Sequence, residues 1–215
     1  MTSKSRRAIG DTATRLDLSR FESLTNPSTI EGHTSWHAGE QPLQSLAGSK
    51  DMLAGAASRI LRPFLTEQHK AFFPQLPFLV TGCVDADSPW ASIIVASPGF
   101  CSSPDPHHLR VDALPSGRDP LTAALRPGAS IGLFGIQLST RRRNRLNGRV
   151  IEVDRTGFLV AVEQSFGNCP QYIQRRDYVV SIEPPVPAAS AEFRGLDDLE
   201  ARALLSNCDT FFVAT

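Results

Sequence analysis

The chain carries no C-x-x-C pair, no apolar run long enough to span a bilayer and no excess of either charge. Each absence removes a class of function. Without paired cysteines, a zinc or iron–sulfur site has no sequence support. Without a span of about 20 apolar residues, no membrane-crossing helix is expected. With 22 basic and 22 acidic residues, no global basic field draws the protein to nucleic acid. The four cysteines, Cys83, Cys101, Cys169 and Cys208, are widely spread and follow no secretion signal. They read as reduced thiols of a cytoplasmic protein.

What is present suits a folded domain: 215 residues, 41% of them hydrophobic, suffice to bury a sizeable core. The first 42 residues show no clear period and read as an irregular or disordered segment. Lys4, Arg6, Arg7, Arg15 and Arg20 lie there, but Asp11 and Asp17 speak against a transit peptide. His33, His37 and Glu40 have the spacing of a helical metal site, yet flanking glycines favour a loop that packs Trp36 on the core. No metal site is expected.

Residues 43–182 read as the main domain. Met52, Leu53, Ala56, Ala57 and Ile60 recur at helical spacing, Pro63 interrupts, and a second helical piece runs toward Phe73. Strand-like runs follow near 77–85, 90–96, 109–113, 130–138, 145–153 and 158–163. Asp119-Pro120 opens a short helix, with an N-cap acceptor and a proline at the first helical position. Asn147-Gly148 reads as a glycine bulge within the fifth strand rather than a hairpin turn. Residues 183–215 read as a Pro-rich linker, a helix over 196–205 and an orphan strand. That strand, Phe211-Phe-Val-Ala-Thr, echoes Phe78-Leu-Val-Thr-Gly and suggests the start of a second, tandem module. Six strands on mostly short links predict a mainly β domain, an antiparallel barrel flanked by helices.

Two stretches concentrate polar recognition groups. Residues 165–174 read as a shaped loop: Gly167 and Asn168 accept positive φ, Pro170 restrains Cys169, and a thiol, amides and the Tyr172 phenol lie close together. Asn168 and Tyr172 suit ligand hydrogen bonds or loop locking, and Cys169 is a candidate thiol beside Arg175 and Arg176. Upstream, Arg141, Arg142, Arg143 and Arg145 follow Ser139 and Thr140. Guanidinium forks and hydroxyls suit a phosphate clamp, and on a strand Arg143 and Arg145 share one face. A solvated charged rim is the alternative.

The strand order, the Phe78–Ala96 hairpin, the Asp119–Leu138 helix-then-strand step and Arg141-Arg-Arg-Asn-Arg-Leu-Asn-Gly-Arg-Val150 together resemble the pyridoxamine 5′-phosphate oxidase-related, FMN-binding split-barrel family. Phe166-Gly-Asn-Cys-Pro-Gln-Tyr-Ile173 resembles the F-G-N-C-P-x-Y-I signature of a subgroup of predicted flavin-nucleotide-binding proteins that often carry two modules. The resemblance spans roughly residues 65–178. It implies a six-stranded antiparallel split barrel that binds FMN at an interface between two barrels, in a homodimer or a tandem chain. It places the flavin nucleotide against Ser139, Thr140, Arg141, Arg143, Arg145, Asn168, Cys169 and Tyr172. An FMN-dependent oxidoreductase is the implied activity. A flavin-free structural or dimerisation barrel is one alternative. A haem-binding barrel using His33, His37, His69, His107 or His108 is another.

Overall fold

A computed structural model describes Trp36, residues 40–169, 171, 173–179, Gly195 and residues 197–214. His33, His37, Tyr172 and the Asn168 side chain lie outside the described residues. Helices α1 (Glu40–Leu46), α2 (Lys50–Leu53), α3 (Ala57–Ile60) and α4 (Glu67–Phe72) come first, α4 running into a 3₁₀ turn at Phe73–Gln75. Strands β1 (Phe78–Asp85), β2 (Ser88–Val95), β3 (Cys101–Ser102) and β4 (His108–Val111) follow. Then come α5 (Pro120–Ala124), β5 (Ser130–Gln137), β6 (Arg142–Val153), β7 (Phe158–Asn168) and, apart from the sheet, α6 (Leu199–Asn207). No helix among the described residues is long and apolar enough to cross a membrane.

All seven strands join one antiparallel sheet in the order β2-β1-β5-β6-β7-β4-β3. This corrects the expectation of six. The additional strand, β3, is two residues long and too short for any periodicity to reveal. It sits in the loop expected between the second and third strands and pairs Cys101 with Val111. Among the described residues no ladder joins the edge strands β2 and β3, so the sheet is not closed by hydrogen bonds. Ile94 of β2, Cys101 of β3 and Leu133, Leu146 and Phe158 of the central strands nevertheless belong to one buried cluster. Leu65, Phe72, Phe73 and Leu76 cap that cluster and are almost fully buried. Removing so much apolar surface from water is the main source of stability.

Local chemistry explains the joints. β1 and β2 form a two-residue hairpin at Ala86 and Asp87, both at positive φ, the geometry that matches strand twist. Pro89 therefore lies inside an edge strand, where its missing N–H is tolerated. Asp119 caps α5 by accepting from the Leu121 N–H at 2.8 Å, and Ser92 donates to the same carboxylate at 2.6 Å, tying helix to β2. The glycine bulge is present: the β6–β7 register shifts between Asn147 and Gly148. A Cβ on Gly148 would overlap the Ala161 carbonyl oxygen, so the close approach requires glycine.

One expectation fails in an informative way. The strand before the recognition stretch does not end at 163 but runs to Asn168, because Arg143, Asn144, Arg145 and Leu146 of β6 pair with Asn168, Gly167, Phe166 and Ser165. Long-range pairing overrides the local preference of Gly167 and Asn168 for turns. The C-terminal helix starts at Leu199, after an Asp198 N-cap, rather than at 196. Residues 209–214 form neither helix nor strand among the described residues, so the strand expected there is not seen.

Candidate functional site

β6 decides which face each polar residue serves. Its burial alternates, so Asn144, Leu146, Gly148 and Val150 point into the core while Arg143, Arg145, Asn147 and Arg149 point out. Across the ladder, Ile136, Phe134, Gly132 and Ser130 of β5 stand opposite those four outward residues, and Val80 and Gly82 of β1 continue the Phe134 and Gly132 rows. The outer face thus has a floor without side chains where Gly82 and Gly132 sit side by side. An aromatic ring, Phe134, stands beside that floor, and a row of guanidinium groups borders it.

A groove of about 1020 Å³ covers this face, lined by Gly82, Gly132, Phe134, Arg143, Arg145 and Asn147 among others. Residues 209–214 also line it and lie over part of this floor. Ala214 approaches Gly82, where an added Cβ would lie 3.6 Å from the alanine methyl, and the Phe212 ring centroid lies 5.9 Å from that of Phe134. An ion pair between Arg176 and Asp209 holds the start of this segment.

The arginines differ in what they already do. Arg149 donates to Glu163 at 2.8 Å and is largely neutralised. The Arg145 guanidinium carbon lies 5.4 Å from the Phe134 ring centroid, a cation–π contact that leaves its N–H groups at the groove. One terminal nitrogen of Arg143 donates to the Cys169 carbonyl, while its Nε is buried without a partner among the described residues. A buried donor without an acceptor is costly, and an anion in the groove would satisfy it. Asn147 donates to Gln164 at 3.0 Å, which fixes its amide at the groove edge.

Of the residues singled out by sequence, Arg143 and Arg145 come together at the groove, with Cys169 behind Arg143. Arg141 sits in the β5–β6 turn at positive φ and is exposed. Ser139 and Thr140 belong to the same turn, where the Thr140 hydroxyl donates to the Gln137 side chain at 2.6 Å. The Asn168 backbone pairs with Arg143, and the exposed Cys169 thiol accepts from the Gln171 N–H at 3.4 Å. Sequence reasoning passed over Gly82, Gly132, Phe134 and Asn147. The available signal was glycine inside otherwise β-rich runs, T-G-C and I-G-L-F-G, which marks close approach to a strand.

The histidines stand elsewhere; among the described residues none lines the groove. His69 Nδ1 lies 2.6 Å from Ser165 Oγ, His107 Nδ1 lies 3.1 Å from the Pro63 carbonyl, and His108 Nδ1 pairs with Asp105 at 2.7 Å. No three metal-binding side chains cluster among the described residues.

No family model matches the chain, and no curated protein matches it. Among solved structures, it is similar to the FAD and heme binding protein from Mycobacterium smegmatis, with 14% identity, a TM-score of 0.35, and coverage of 66% of this chain and 96% of that one. A likeness that loose carries no argument about ligand or activity.

Proposed function

We propose that this chain is a flavin-nucleotide-binding module, an FMN-binding split barrel related to pyridoxamine 5′-phosphate oxidase. In this reading the open sheet is the split barrel, and the outer groove holds the flavin between this sheet and a second barrel, supplied by a homodimer partner or a tandem module. The observation that carries the reading is the groove itself. The side-chain-free floor at Gly132, beside Gly82 under the Ala214 methyl, suits a planar ring, and Arg143 Nε, unpartnered among the described residues beside Arg145, suits a phosphate. The volume, about 1020 Å³, is ample for a cofactor of that size.

Arg143 and Arg145 would hold the phosphate and Asn147 a polar edge of the ring. Bound flavin would supply hydride or electron transfer; the chain's own residues bind, orient and screen it from water. Residues 209–214 help exclude solvent from one side. The oxidoreductase activity, its substrate and its electron acceptor belong to this proposal and rest on the resemblance alone.

The test is a fluorescence titration of the purified protein with FMN. Arg143→Ala combined with Arg145→Ala should weaken binding by at least about tenfold, roughly 1.4 kcal/mol, as expected for the loss of charge-assisted contacts. Equal affinity of variant and wild type would end the proposal.

A further inference from the structure

The arginine run also reaches the opposite face of β6. Arg142 and Asn144 share that face, Asn144 buried and Arg142 exposed at its rim, with the Arg142 guanidinium carbon 5.3 Å from the centroid of the Phe72 ring on α4. From the same helix, His69 Nδ1 meets Ser165 Oγ of β7 at 2.6 Å. Ser165 in turn pairs its backbone with Arg62, through hydrogen bonds of 3.1 and 2.7 Å. Arg62, Arg142, His69 and Ser165 therefore surround one end of the sheet, beneath α4. Neither arginine has a carboxylate partner among the described residues.

Two observations show that this end is not simply filled. Asn144 is 5% exposed, and its Nδ2 has no hydrogen-bond partner among the described residues. Its cross-strand neighbours are Gly135 on one side and Gly167 on the other. The Gly135 side is packed solid by Phe72, Phe73 and Leu76. The Gly167 side is open: Gly167 is exposed, and among the described residues a Cβ added there would meet only Asn144 Oδ1, at 3.8 Å. The solvent-open space over Gly167 thus adjoins a buried donor without a partner among the described residues, two residues along β7 from Ser165. In the tautomer where the Ser165 hydroxyl donates to His69 Nδ1, the neutral imidazole carries its proton on Nε2, a further donor. Every polar group named here can donate, and none is an acid.

We propose that the solvent-open niche over Gly167, bounded by Asn144, Arg142, Arg62 and the His69–Ser165 pair, binds a small oxyanion of the inorganic-phosphate class. It lies on the other side of the sheet from the flavin groove and does not depend on it. The ligand arrives as a free ion or as the terminal phosphate or carboxylate of a small metabolite. Arg62 and Arg142 supply the charge at the entrance, and Asn144 supplies the deepest donor.

The test is an NMR titration of the wild-type chain with inorganic phosphate at constant ionic strength, with chloride as the control. It reads the Asn144 side-chain amide and the His69 ring. Saturable shifts of both, produced by phosphate and not by chloride, are expected. The double variant Arg62→Gln/Arg142→Gln should weaken the response at least roughly tenfold, while FMN affinity stays unchanged. Gly167→Ala gives an independent check, because its methyl fills the niche at an ordinary contact distance and should abolish the shifts without lowering the melting temperature. Identical shifts with chloride, or undiminished phosphate binding by Gly167→Ala, would overturn the proposal. Repeating the titration with a phosphomonoester and with acetate separates free ion from esterified phosphate and from carboxylate.

Discussion

Substituting Gly132 by valine should remove ligand binding without weakening the fold. An added Cβ at this position would have Asn147 Oδ1 at 3.5 Å and the Gly82 carbonyl at 3.8 Å, both ordinary contacts, and its φ is not positive. The backbone gains, because glycine in a strand interior is destabilising by roughly 0.5–1 kcal/mol and valine has strong strand preference. For a chain of this size a gain of about 1 kcal/mol raises the melting temperature by about 2–4 °C. The branched carbons, however, stand on the groove floor beside Phe134. A planar ring lifted from about 100 Å² of apolar floor loses about 2.5 kcal/mol at the usual area coefficient, more than tenfold in affinity. Calorimetry and FMN titration on the same sample read both effects. Gly148→Ala is the contrast: its Cβ would overlap the Ala161 carbonyl, so it should lose about 3 kcal/mol or more of stability. A Gly132→Val protein that binds FMN as tightly as wild type would show that the glycine floor is not where the ring lies.

Two further outcomes concern stability against pH. The Arg110 guanidinium lies 2.8 Å from Asp154, which also accepts from the Thr156 hydroxyl and from the Thr156 and Gly157 N–H groups, and together these hold its carboxyl well below the usual range. A depressed folded pKa adds stability above the unfolded value near 3.8 that disappears as the pH falls through the folded one. Asp154→Asn should therefore lose roughly 1–2 kcal/mol in urea unfolding at pH 7, discounted for its exposure, and should lack part of the wild-type acid slope. Desolvation, then the charges of Arg62 and Arg142, lower the His69 pKa below 6.5. The folded state thus resists protonating it, and stability should begin to fall as the pH drops below 6.5, a slope that His69→Gln removes; an unchanged slope would refute it.

The features legible in the sequence are those fixed by neighbours along the chain. Asp119-Pro120 capped its helix because an N-cap needs only the next two residues. Asn147-Gly148 gave a bulge rather than a turn, though β6 already runs from Arg142, because β7 pairs with the strand on both sides of it. Residues that depend on register were not legible. The pairing of Gly82 with Gly132, and of Gly132 with Asn147, exists only once three distant strands align. The extension of β7 to Asn168 has the same origin: glycine and asparagine locally favour a turn, but β6 offers a complete ladder and holds them in the strand. Ser165 and Asn144 read as loop and strand polar residues, and nothing local shows that α4 descends on them from the other side.

The run Arg141-Arg-Arg-Asn-Arg145 is the clearest case of sequence proximity misleading about shared work. Taken as a cluster it suggests one clamp of four guanidinium groups. Strand geometry allows no such cluster, since consecutive side chains leave opposite faces. Arg143 and Arg145 go to the groove, Arg142 leaves the opposite face and lies exposed over Phe72, Asn144 is buried on that face, and Arg141 turns the corner. One strand therefore presents cationic donors to two compartments separated by the thickness of the sheet. Substitutions on the two faces should act independently, because residues without shared partners contribute additively. The quadruple variant, Arg62→Gln/Arg142→Gln/Arg143→Ala/Arg145→Ala, should then lose FMN and phosphate binding by the product of the separate factors. Strong coupling between the two pairs would mean a single connected site and would refute the division by faces.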